Sequence, residues 1–167
     1  AAVKQQEWAL KYVPDHLKTR NLCLAAVRQY VSMLKYVPDA LKADFCLAAV
    51  TQHRYALEHV PDRLKTYTMC LLAVTQNGNA LKYIPRRFKT CSICLIAVTQ
   101  DGNALEHIPN KLKTCDICIA AVTQNGYALE YVPDHLKTYD ICQIAMGKTG
   151  NVMRYVPDRL RSKLYES

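Results

Sequence analysis

Proline recurs along this chain at Pro14, Pro38, Pro61, Pro85, Pro109, Pro133 and Pro157. The successive intervals are 24, 23, 24, 24, 24 and 24 residues. A fixed period of roughly 20 to 50 residues marks an architecture of stacked repeats. The unit reads T-x-D-I-C-L-x-A-V-T-Q-N-G-x-A-L-x-Y-V-P-D-x-L-K, and seven proline-centred copies cover the chain. The one short interval contains Leu41-Lys42-Ala43-Asp44-Phe45-Cys46, where a residue of the unit is missing. Ala1-Ala2-Val3 matches the middle of a unit, so the first copy is expected to be incomplete, as in a piece of a longer array. Residues 162–167 leave the pattern and read as a cap or tail. Residues 1–167 therefore read as a single helical-repeat array.

Each copy holds two apolar stretches. In one copy the first runs without a gap from Ile117 to Val122, and the second is Ala128, Leu129, Val132 and Leu136. The second set has the spacing of one helix face. Alanine holds one place in every copy (Ala73, Ala97 and Ala121 among them), which favours helix over strand for the first run. Thr90, Thr114 and Thr138 precede these runs as N-caps. Asp116 and Asp140 follow in the first turn, where a negative charge suits the helix dipole. Asn77-Gly78, Asp101-Gly102 and Asn125-Gly126 predict helix stops with glycine in the left-handed conformation. A short second helix, A-L-x-Y-V, must end before the proline, because the residue preceding proline avoids helical angles. The expected unit is a helix of about eleven residues, a short helix and a tight P-D-x-L-K turn. Such units bury their apolar faces only by stacking, which predicts an all-α protein, an α-solenoid of about seven 24-residue repeats. The alternative is a leucine-rich-repeat-like solenoid, which shares the period but sets leucine two residues after its asparagine. Here Leu81 lies four after Asn77.

The unit ICLIAVTQDGNALEHIPNKLKT resembles a bacterial and giant-virus family of short helical tandem repeats of unknown function, built on A-V-x-Q-N-G-x-A-L-x-Y. The resemblance covers essentially the whole chain, and the first three copies, which lack the Asn-Gly pair, fit it less well. It implies a helical scaffold of the kind found in bacterial proteins, secreted effectors included. It implies no activity, cofactor or catalytic residue.

A net charge of +8 and a pI near 9.1 favour acidic partners. No apolar run approaches eighteen residues, so no membrane span is expected. The opening AAVKQQEWAL lacks the layout of a signal peptide. Eight cysteines without an export signal fit free thiols in a cytoplasmic, reducing setting, or delivery into a reducing cytosol.

KTCSIC and KTCDIC together place Cys91, Cys94, Cys115 and Cys118 at a spacing usually read as a zinc site. The repeat explains that spacing without a metal. Cys23, Cys46, Cys70, Cys94, Cys118 and Cys142 share one row inside the apolar run, where cysteine serves as a small hydrophobe. Cys91 and Cys115 occupy a row that holds Arg20, Tyr67 and Tyr139 in other copies. Stacked helices lie about 8–10 Å apart, too far for equivalent residues to share an ion without distortion. No metal and no cofactor is expected. Gly147-Lys148-Thr149 hints at a phosphate loop, but Cys142 stands where the first glycine is required.

In a solenoid each repeat position becomes a surface row. Four residues after each proline stand Lys18, Lys42, Lys65, Lys89, Lys113, Lys137 and Arg161. Two after it stand Arg63, Arg87, Lys111 and Arg159, with His16, Ala40 and His135 in the other copies. These rows form a candidate basic stripe for an acidic protein or for nucleic acid, or a solvated face partly neutralised by Asp15, Asp39, Asp62, Asp134 and Asp158. Two before the proline runs an aromatic row, Tyr12, Tyr36, His59, Tyr83, His107, Tyr131 and Tyr155, able to stack bases or to pack between helices. The Gln row, including Gln100 and Gln124, is expected to bridge copies by hydrogen bonds. Six before the proline the residue varies, and Trp8, Tyr55 and Tyr127 are candidates there for partner choice or for simple exposure. The five histidines form no catalytic constellation. A non-catalytic scaffold that binds another protein is expected, with nucleic-acid binding through the basic and tyrosine rows as the alternative.

Overall fold

The computed structural model describes residues 9–149 and 151–165, and among them there is no strand. The α-helices are α1 (Arg20–Gln29), α2 (Asp39–Gln52), α3 (Tyr67–Gln76), α4 (Cys91–Gln100), α5 (Cys115–Gln124), α6 (Tyr139–Lys148) and α7 (Asp158–Tyr165). None is long and apolar enough to cross a membrane. The chain divides into two compact units, Ala1–Ala73 and Val74–Ser167. In the second, α4 packs on α5 and α5 on α6. In the first, α1 packs on α2. Each unit thus stacks sequence-adjacent repeats, as an all-α solenoid does. The absence of strands among the described residues removes the leucine-rich-repeat alternative.

The helix starts follow the caps. Thr90, Thr114 and Thr138 Oγ1 accept from the backbone N–H of Ile93, Ile117 and Ile141. The helices end at Asp101 and Asn125, where the chain turns extended. The short second element is a 3₁₀ helix, as in Gly78–Tyr83, Gly102–His107 and Gly126–Tyr131. It is wedged between two α-helices: Gly102–His107 packs on both α4 and α5. Ile84, ahead of Pro85, is extended, as a residue before proline must be.

The left-handed glycine stop is corrected. No described glycine has positive φ. Glycine is required instead by close approach. A Cβ on Gly78 would lie 2.3 Å from the Ala97 carbonyl oxygen of the next copy, and one on Gly102 would lie 2.5 Å from that of Ala121. The Gly78 amide donates to Gln100 Oε1 at 2.7 Å, and the Gly102 amide to Gln124 Oε1 at 2.6 Å. The Gln row therefore bridges copies here. A second rung runs from Asn79 to Asp101 and from Asn125 to Asn103.

The missing residue acts locally. Without it the proline turn and the following helix fuse into α2, fourteen residues long, with Pro38 at its N-cap. Leu10, Leu34, Leu57, Leu81, Leu105, Leu129 and the cysteine row, each 1% exposed or less, lie in the core with alanines and valines of the α-helices.

Candidate functional site

The lysine row does not form the open stripe its spacing suggested. Lys65 and Lys137 are buried, and the Lys18 and Lys42 side chains are only 8% and 11% exposed. Each ammonium pairs with the aspartate three residues earlier: Lys18 with Asp15 at 2.7 Å, Lys42 with Asp39 at 3.1 Å, Lys65 with Asp62 at 2.8 Å, Lys137 with Asp134 at 3.0 Å. Lys89 and Lys113 have no such aspartate, because Arg86 and Asn110 take its place. Their ammonium groups reach the next copy instead, donating to His107 O and Tyr131 O at 2.8 Å. Burial pushes the pKa of both lysines down. Arg161 pairs with Asp158 at 2.9 Å and donates to Val156 O. The row is therefore largely structural, its stems buried and its heads spent on carboxylates and carbonyls.

The neighbouring basic row is exposed. Arg63 bridges to Asp39 of the preceding copy at 2.7 Å, and this contact, more than Lys42, holds the Asp39 carboxyl below the usual range. Arg87 lies over the Phe88 ring at 4.6 Å. Arg159 donates to Asp134 O and Lys137 O. Lys111 shares a groove with Arg86, Lys89, Pro109, Asn110 and Leu112.

The aromatic row is half-buried from Tyr36 to Tyr155, whereas Tyr12 is exposed. Lys35, Lys82 and Arg154 each sit over the ring that follows them, at 4.9, 4.6 and 4.6 Å. Burial lowers the pKa of His59 and His107, which favours the neutral imidazole. In the variable row Tyr55 and Tyr127 are exposed. Asn79 and Asn103 in the same row spend their amides on the rungs between copies. Trp8 lies outside the described residues.

The zinc-like spacing separates in space. Cys94 and Cys118 are fully buried, whereas Cys91 and Cys115, at the first positions of α4 and α5, are exposed. All eight cysteines are free, and no group of three or more His, Cys, Asp or Glu able to hold a metal occurs among the described residues. Gly147-Lys148-Thr149 ends α6, with Thr149 as its C-cap.

One row escaped sequence reasoning. The residue after three of the six buried cysteines is an exposed aliphatic: Leu47 is 47% exposed, Leu95 43% and Ile119 38%. Beside them Thr51 and Thr99 donate their hydroxyls to Leu47 O and Leu95 O, which leaves the threonine polar group satisfied within its own helix. The signal was present in the gapless run. A helix packed on one side shows polar residues on the other, and a run such as ICLIAV leaves none.

The family Domain of unknown function (DUF4116) matches residues 1–42, 43–89, 67–113, 90–137 and 114–161. The chain belongs to the DUF4116 family. From residue 43 on, each DUF4116 match spans two copies and the next begins one copy later, so the family unit is a pair of the 24-residue repeats seen here. Each DUF4116 match from residue 90 on holds a helix, its 3₁₀ segment and the next helix packed against it. No curated protein and no solved structure matches the chain.

Proposed function

We propose that this array is a non-catalytic scaffold that binds another protein along the outer face of its helices, as a module of a larger protein. The observation that supports this reading is the face presented by α4 and α5. Their twenty residues carry a single charge, Asp116, in a chain with 22 Lys and Arg. Leu95 and Ile119 stand exposed on that face. Thr75, Leu95, Ile96, Thr99 and Gln100 line a shallow groove along it. An exposed apolar patch rimmed by polar groups is the usual mark of a protein-binding surface. Repeat arrays present such surfaces along their length. The six buried thiols suit a reducing compartment.

Proximity labelling in the producing cell tests this reading, comparing the chain with its L95E/I119E variant. Neighbours labelled by the parent and lost with the variant are the expected result. The same set from both chains sinks it.

Nucleic-acid binding is the second reading, favoured by the exposure of Arg87 and Lys111. It requires a steep fall of affinity with salt, because phosphate contacts release counterions. A titration with single-stranded RNA from low to high ionic strength decides it, and no affinity at low salt removes it.

A further inference from the structure

Five of the seven proline turns place an aspartate directly after the proline: Asp15, Asp39, Asp62, Asp134 and Asp158. In the described structure that aspartate neutralises the lysine or arginine three residues later in each of those turns. Two adjacent turns break the rule, with Arg86 and Asn110 in its place. Between them lies a groove of roughly 460 Å³ in the second unit, lined by Arg86, Lys89, Pro109, Asn110, Lys111 and Leu112. Three cations thus line one groove without the carboxylate that the other turns supply.

Lys89 marks the floor. Its ammonium is half-buried and gives one donor, at 2.8 Å, to the carbonyl of His107. An ammonium has three donors. Burial lowers the Lys89 pKa, and the neighbouring Arg86 charge adds to that in the same direction. The half-buried ammonium thus holds its charge beside a carbonyl, without the aspartate that five other turns supply.

We propose that the groove between the Pro85 and Pro109 turns binds a phosphate group, as a monoester or a diphosphate, through Arg86, Lys89 and Lys111. The charge selects phosphate over a carboxylate: a phosphomonoester carries about −1.5 to −2 near pH 7 and three acceptor oxygens. The Arg86 fork suits two of those oxygens, and the two ammonium groups act as point charges. The site is independent of the apolar face of α4 and α5.

The test uses the whole chain and three probes: sodium pyrophosphate, a phosphoserine peptide with its unphosphorylated twin, and poly(U) RNA. Affinity is measured by calorimetry in the parent and in R86D/N110D. That variant installs the residue present in five other turns of the same chain, so the fold tolerates it, and a melting curve verifies this. The expected result is binding of pyrophosphate or of the phosphopeptide, weakened at least tenfold in R86D/N110D and in K89M. Pyrophosphate alone points to a small phosphorylated ligand; the phosphopeptide over its twin points to a phosphoprotein. Equal binding by parent and R86D/N110D overturns the proposal. So does affinity for poly(U) with none for either phosphate probe.

Discussion

At Gly102 a single hydrogen separates fit from clash. A methyl there would sit 2.5 Å from the Ala121 carbonyl oxygen, which is backbone and cannot step aside. Gly102→Ala is expected to destabilise the chain by about 1–3 kcal/mol, the usual range for overpacking. Urea denaturation measures it. Alanine normally strengthens a helix over glycine, so a stabilised variant would contradict the packing described here.

The cysteines divide by exposure. Cys91 and Cys115 are expected to react with a thiol reagent in the native protein, and the other six only after denaturation. Counting labelled thiols by mass spectrometry checks this. The buried row also sets a pH limit. Burial raises the thiols of Cys46, Cys94 and Cys118 from 9.0 to about 11. The folded chain therefore holds these protons after the unfolded chain has lost them. Their contribution to stability is full below pH 9 and is lost as pH rises through about 11. Lys89 and Lys113, lowered by burial, act in the opposite sense but by smaller shifts. The melting temperature is expected to fall between pH 9 and about 11. A flat profile over that window would show the thiols to be exposed to water.

At the scale of elements, the repeats are joined by hydrogen bonds that sequence pattern alone does not display. Gln100 and Gln124 each satisfy the buried amide of a glycine 22 residues earlier. Gln124→Ala leaves the Gly102 amide without that acceptor, and an unmet buried donor costs about 1–3 kcal/mol. Thr114→Ala removes only a cap and is expected to cost about 1 kcal/mol. Chemical denaturation of the two variants should rank them in that order. The elements themselves were largely legible. Helix starts were readable because a threonine cap is a local interaction. The 3₁₀ character of Gly78–Tyr83 was not, because it follows from being wedged against α4 and against the 3₁₀ segment Gly102–His107. The fusion of turn and helix in α2 was visible only as a missing residue.

At the scale of the whole chain, the glycine-dependent rungs fall in the second unit, Val74–Ser167, where the Asn-Gly or Asp-Gly pairs occur. In the first unit Val31 and Arg54 hold the glycine place. Amide exchange is therefore expected to show the strongest protection at Gly78 and Gly102, and Q100A/Q124A is expected to lower protection in the second unit while leaving residues 20–52 unchanged. Uniform change along the chain would mean that the rungs do not act locally.

The sequence by itself determined the period, the helical unit, the buried cysteine row and the bridging glutamines. Each of these depends on local propensity or on a spacing that repeats. Only the tertiary structure decided which residues face outward and which charges are already spent. Lys18, Lys65 and Lys137 looked like a basic surface until their aspartates and their burial were visible. Leu95 and Ile119 looked like core until both were seen to stand exposed on the outer face of their helices. A charge is free or compensated, and an apolar side chain is buried or exposed, according to what lies next to it in space, and a spacing along the chain does not contain that.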